Sequence, residues 1–262
     1  FFDEGRLAAR LVHPHVVEVH EWGLAEDGRL FVAMERLNGR ELGEILAKTR
    51  TLDPVRALRL SREALAGLAE AHRQGLVHRD IKPANLFVVG EGTPNESCKV
   101  IDFGIALDLT GQVASPEQAG SVVGTPMYMA PEQVRGEPLD GRCDVYAMGI
   151  VLYQTLAGGL PFVGDTMMAM LVARLVQSPR PLDQACEQPL PQGVAALVER
   201  ALALDPKGRP ASAAIMAGEV ERLLAAAGNP ARWKQTWQDH APSAATTDLT
   251  YAPTAVDSRR GK

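Results

Sequence analysis

Residues 76–85 read Leu-Val-His-Arg-Asp-Ile-Lys-Pro-Ala-Asn, and 78–85 hold one carboxylate, one amide and three basic or potentially basic side chains. Asp80 offers a weak base, better suited to orienting a hydroxyl than to pulling off its proton. Lys82, two residues on, is a point charge that can reach an anion beside that base. Asn85 offers a neutral oxygen and Asp102 a charged one, a pair that suits a hard cation keeping some of its waters. Each residue also has an ordinary use: Asn after Pro-Ala caps a helix or closes a turn, and Asp before Phe-Gly is a turn residue. The set matters more than its members.

Such groups need a rigid base. Pro83 removes a backbone donor and makes the stretch a poor helix and a poor strand, so it reads as a loop. Asp53-Pro54 upstream is a helix start, with a capping carboxylate and Pro at the first helical position. Leu58, Leu65, Leu68 and Ala69 form that helix's apolar stripe, and Gly75 stops it just before the loop. Downstream, 87–89 and 99–101 read as two short strands joined by a polar turn over 90–97, which delivers Asp102.

His78-Arg79-Asp80 with Asn85 fits H-R-D-x-x-x-x-N, the catalytic-loop signature of protein kinases. Asp102-Phe103-Gly104 follows, then Gly124-Thr125-Pro126-Met127-Tyr128-Met129-Ala130-Pro131-Glu132, Asp144 and Arg209, all in order. The chain therefore resembles the protein kinase family, specifically its Ser/Thr branch. The high Ala, Gly, Arg and Pro usage and the short loops resemble a bacterial member. The resemblance covers 3–227 and implies an α+β, bilobal fold with an incomplete small lobe and a mainly helical large lobe. Its implied divisions are a partial small lobe at 1–34, a hinge at 35–40, a large lobe at 41–227 and a flexible tail at 228–262.

The resemblance implies ATP and Mg²⁺, with protein substrates bearing Ser or Thr. Asp80 is then the base, Lys82 the cation at the transferred phosphate, and Asn85 and Asp102 the metal ligands. Met34 would close an adenine slot to which the Glu35 carbonyl and Leu37 amide bond; an ordinary interlobe linker is the other reading of those residues. Glu4, nine residues before His13, occupies the place of the glutamate that pairs with the phosphate-holding lysine. His78 and Phe103 are implied as packing residues in the apolar column between lobes. Arg79 beside the base implies a switch answered by a phosphate on the loop 105–123, with Thr110, Ser115 and Ser121 as acceptors and Glu117 as a partial stand-in. Thr125 would contact base and lysine, Glu132 would pair with Arg209, and Asp144 would accept amides of the catalytic loop.

A helix over 3–11 and strands over 16–21 and 29–34, around the turn Glu26-Asp27-Gly28, complete the small lobe. A helix over 41–48 opens the large one. Residues 140–158 are apolar nearly all round and predict its central, buried helix. Further helices are expected over 166–176, 194–203 and 212–227. His13 and His15, flanking Pro14 without an acidic or Cys partner nearby, read as a turn and not a metal site.

The 262 residues carry a formal net charge of −5, which gives no basic field for nucleic acid. Arg50, Arg56, Arg59 and Arg62 cluster around one predicted helix and read as a solvated face. Cys98, Cys143 and Cys186 form no disulfide or metal pattern and fit a reducing, cytoplasmic setting. No apolar run approaches the ~18 residues of a membrane span. Relatives of this kind imply an inner-membrane tether beyond residue 262 and a back-to-back or activating dimer of the full-length protein. The Thr-rich tail (Thr246, Thr247, Thr250, Thr254) would be its linker and a place for autophosphorylation.

Two kinase parts do not precede Glu4: a G-x-G-x-x-G loop and a strand lysine of the V-A-I-K type. The chain opens at Phe1, inside an expected helix, which reads as a fragment of a longer protein. The 262-residue chain alone is expected to turn over little ATP, and an upstream extension to restore it. Three functions follow from these residues: a Ser/Thr protein kinase, a pseudokinase scaffold, and a small-molecule phosphotransferase of the same fold. The intact Asp80, Lys82, Asn85 and Asp102 favour the first over the second, and Thr125 with Ala130-Pro131-Glu132 favours it over the third.

Overall fold

The computed structural model describes residues 11–25, 27, 29–103 and 126–228. Strands β1 (Val19–Leu24) and β2 (Leu30–Met34) form an antiparallel ribbon with Val19 opposite Met34 and an irregularity between Val19 and Glu21. A second antiparallel sheet has the order β3 (Gly39–Glu41), β4 (Leu86–Val89), β5 (Ser97–Val100). The two regions are stitched together ahead of the ribbon. The Val17 amide donates to the Val100 carbonyl at 3.0 Å, and the Val100 amide to the His15 carbonyl at 2.9 Å.

Helix α1 (Leu42–Thr49) leads into α2 (Pro54–Arg73). Asp53 caps α2 by accepting from the Arg56 amide at 3.0 Å, and Pro54 fills its first turn. Leu58, Leu65 and Leu68 are fully buried along its length, each contributing roughly 1.5–3 kcal/mol by leaving water. The helix ends at Gly75, whose φ of +81° turns the chain into the loop. Within α2, a Cβ on Gly67 would lie 2.6 Å from the His15 carbonyl oxygen, so its absence lets the 13–16 turn rest on the helix.

The remaining helices are α3 (Pro131–Arg135), α4 (Arg142–Ala157), α5 (Met167–Val176), α6 (Leu182–Ala185), α7 (Val194–Ala201) and α8 (Ala213–Ala226). Val145, Met148, Ile150, Val151 and Leu152 of α4 are all 0 % exposed, so this helix is the core's axis. Helices α2 and α7 pack against it, and α8 packs on α2. Thr166 and Ser212 cap α5 and α8 through their hydroxyl oxygens. No helix among the described residues is long and apolar enough to cross a membrane.

Four expectations change. The first strand runs Val19–Leu24 rather than 16–21, because Val16 and Val17 pair instead with Val100. Gly39 and Arg40, inside the expected hinge 35–40, begin β3, which has no apolar alternation to announce it. Only glycine fits at position 39, since a Cβ would lie 2.0 Å from the Val88 carbonyl oxygen. The loop carrying Asn85 contains a 3₁₀ turn, Pro83–Asn85, for which Pro83 supplies the fixed φ. The arginines of α2 are not a solvated face. Arg56 donates to both oxygens of Glu96, at 2.6–3.2 Å, Arg59 bonds one of them, and Glu96 is buried. Arg62 reaches Glu221 on α8 at 2.6 Å. The expected helix over 3–11 falls outside the described residues up to position 10, and Leu11 is buried but not helical.

Candidate active site

The loop after α2 folds back on itself through Asn85. Its Nδ2 donates to the Asp80 carbonyl at 2.7 Å and to Asp80 Oδ2 at 3.1 Å, while Lys82 Nζ donates to the same Oδ2 at 2.7 Å. Asp80, Lys82 and Asn85 thus share one carboxylate oxygen. Asn85 is buried and its amide nitrogen faces Asp80, which directs its carbonyl oxygen away from that carboxylate.

Asp144, at the start of α4 and 1 % exposed, holds the loop from below. Its Oδ2 accepts from the His78 amide at 2.9 Å and its Oδ1 from the Arg79 amide at 2.8 Å. His72 Nε2 meets Oδ2 at 2.7 Å. Burial works to raise the Asp144 pKa, but the His72 bond, the nearby histidines and the His78 amide together hold it below the ordinary aspartate value.

The neighbouring strand is tied to the same loop. His78 Nε2 meets the Ile101 carbonyl at 3.0 Å, and the Ile101 amide donates to the Asn85 carbonyl at 3.0 Å. Asp102 follows directly, one residue beyond both bonds. The His78 and Phe103 rings pack tilted with centroids 4.8 Å apart. Arg79 and Asp102 both sit at positive φ, +67° and +57°. A non-glycine residue there is strained and persists only where its surroundings over-determine it. Arg79 meets that condition, since its amide binds Asp144 and its carbonyl accepts from Gln133 Nε2 at 2.8 Å.

Below the loop lies the segment leading into α3. Arg209 donates from two nitrogens to Glu132 at 2.6 and 2.8 Å, and both are buried. Arg209 also bonds the Ala203, Arg142 and Leu204 carbonyls and lies over the Tyr146 ring at 4.7 Å. Between the two sheets, Glu35 pairs with Lys99 of β5 and accepts from the Glu18 amide at 2.9 Å. Burial would raise the Glu35 pKa, but Lys99 and Glu18 hold it low. Leu37 is half-buried. Met34 is exposed among the described residues.

A scan against family models matches residues 1–220 to the protein kinase domain. The chain belongs to the protein kinase domain family. Among curated relatives, Serine/threonine-protein kinase pkn3 of Myxococcus xanthus is 39 % identical over 226 residues, covering 85 % of this chain and 41 % of the relative. Serine/threonine-protein kinase PknB of Mycolicibacterium smegmatis is 37 % identical over 226 residues, covering 85 % and 35 %. The chain thus spans less than half the length of these relatives. Among solved structures, the Mycobacterium tuberculosis PknI kinase domain superposes with a TM-score of 0.66 at 27 % identity, covering 85 % of this chain and 77 % of that one.

In this kinase domain, Glu4, Thr110, Ser115, Glu117, Ser121 and Thr125 lie outside the described residues, as does the tail from 229. Residues that sequence reasoning passed over are also prominent. His72 supports Asp144, Gln133 joins α3 to the Arg79 carbonyl, and Lys99 grips Glu35. His72 and Lys99 answer side chains, but Gln133 answers a main-chain oxygen, which leaves no mark in a sequence.

Proposed function

We propose that this domain transfers the γ-phosphoryl group of ATP to Ser or Thr hydroxyls of proteins. The observation that carries the reading is the shared Asp80 oxygen, held between Lys82 and Asn85 on a loop anchored by Asp144. Asp80 orients the acceptor hydroxyl and takes its proton as the new oxygen–phosphorus bond forms. Lys82, now paired with Asp80, is two residues away and free to swing its ammonium to the oxygens that move with the phosphoryl group. Leaving charge stays on the nucleoside diphosphate.

Asn85 and Asp102 supply two hard oxygens, which fits an ion that takes the rest of its shell from phosphates and water. Among the described residues there is no cluster of three His, Cys, Asp or Glu that would form an all-protein cage. Mg²⁺ bound there would neutralise charge on the phosphates. The hinge reading places adenine along Glu35 and Leu37, with 35–40 as the connection between a small lobe and the large lobe 41–227. Arg79, beside the base, is read as the receiver of a phosphate carried by the loop before Pro126.

The test is transfer of labelled γ-phosphate to a Ser- or Thr-bearing peptide by the whole protein and by its D80N variant. Label on serine or threonine that falls at least a hundredfold in D80N supports the reading. Equal labelling by both proteins refutes Asp80 as the orienting group, and a protein that binds nucleotide but labels nothing is the scaffold.

A further inference from the structure

Arg174 sits on the buried face of α5, 3 % exposed, where a guanidinium is costly unless its donors are met. Its two terminal nitrogens bond main-chain oxygens, while the buried Nε has no hydrogen-bond partner among the described residues. Nη1 donates to the Pro126 and Met129 carbonyls, the latter at 3.0 Å, and Nη2 to the Met127 carbonyl at 2.7 Å. The Phe162 ring lies 5.8 Å from its Cζ. Residues Pro126–Tyr128 make only a single 3₁₀ turn and Pro131 opens the next helix, so this stretch has little secondary structure to satisfy its own carbonyls.

The same stretch is joined to the catalytic loop at its other end. The Ala130 amide donates to Gln133 Oε1 at 2.8 Å, and Gln133 Nε2 donates to the carbonyl of Arg79, the residue before Asp80. Through that bond the 126–130 stretch flanks the segment that carries Asp80. We propose that Arg174 is a positioning residue for the protein substrate: by clamping three carbonyls it fixes the 126–130 wall against which the peptide backbone lies. The inference rests on the kinase reading above and adds a residue remote from the reacting atoms. An arginine is required by the geometry, because its planar fork presents several donors at once, whereas a lysine offers one centre.

The experiment uses the whole protein with R174M and R174K. In steady-state phosphorylation of a serine peptide, R174M is expected to raise the peptide KM about tenfold, which equals about 1.4 kcal/mol. R174K raises it less, and in both variants kcat and the KM for ATP stay close to the parent's. Amide exchange at Met127 to Ala130 is expected to quicken in both, R174M more. A peptide KM equal to the parent's, or a loss confined to kcat, overturns the inference whatever the melting temperature. If R174M does not fold, R174K decides by the same split. If the parent labels no peptide, the kinase reading falls by itself, and exchange at 127–130 then decides the clamp: unchanged exchange overturns it.

Discussion

Replacing Asp144 by alanine tests the anchor beneath the catalytic loop. The substitution leaves two main-chain donors without their acceptor, the His78 and Arg79 amides now bonded at 2.9 and 2.8 Å, and frees His72. An orphaned buried donor costs about 1–3 kcal/mol, so two give roughly 2–6 kcal/mol, centred near 4. For a domain of 150–250 residues, ~4 kcal/mol lowers the melting temperature by about 8–16 °C. Asparagine should cost less, since it keeps one accepting oxygen but turns an NH₂ toward the other amide. His72→Ala should cost less still, because it leaves both amides bonded. The measurement is thermal and guanidinium unfolding of parent, D144A, D144N and H72A. A D144A loss below about 1 kcal/mol means the amides find other acceptors, and it refutes the reasoning. The pH dependence follows the same chemistry. The folded Asp144 pKa is depressed, so its stabilisation is present above the ordinary aspartate pKa and fades as pH falls through the lower folded value. D144N should be flat in that window as far as this group is concerned.

Breaking the Glu132–Arg209 pair by R209M, with Glu132 left buried, should cost about 3–5 kcal/mol in denaturant unfolding, and a loss within error of zero would contradict a buried pair. Removing Glu96 by E96A strips Arg56 and Arg59 of their shared acceptor; both arginines still reach water, so a loss of about 1–3 kcal/mol is expected. The Glu96 pKa is held low by Arg56 against burial, so the parent's advantage over E96A should shrink as pH drops below the ordinary glutamate range. Gly67→Ala forces the His15 carbonyl away from α2 and should destabilise by about 1–3 kcal/mol, read by the same unfolding curves.

The parts that read directly from the sequence are those in which side chains answer to spacing. The Asp53-Pro54 start of α2, its leucine stripe and the nearly all-apolar α4 follow from local rules and stand where those rules put them. The Asp80, Lys82 and Asn85 cluster spans six residues, so its members meet by virtue of one turn. Asp144 is 66 residues from His78, and only the family pattern pointed to it. What escaped notice involves distant or anonymous partners. Glu96 looks like one more acid in a polar turn until α2 brings Arg56 against it from 40 residues away. β3 owes its existence to the backbone of β4, not to its own Gly-Arg-Glu. Gln133 and Arg174 bind carbonyls, and every residue carries one.

Lys99, in β5, holds Glu35, and Asp102 stands three residues further along the same chain. Lys99 and Val100 pair with β4 and the Ile101 amide bonds the Asn85 carbonyl, so the chain is held between the two up to the residue before Asp102. The segment therefore couples Glu35 to Asp102: a shift at one is passed toward the other through Lys99, Val100 and Ile101. One inserted residue between them would put the Val100 and Ile101 bonds out of register and break that coupling.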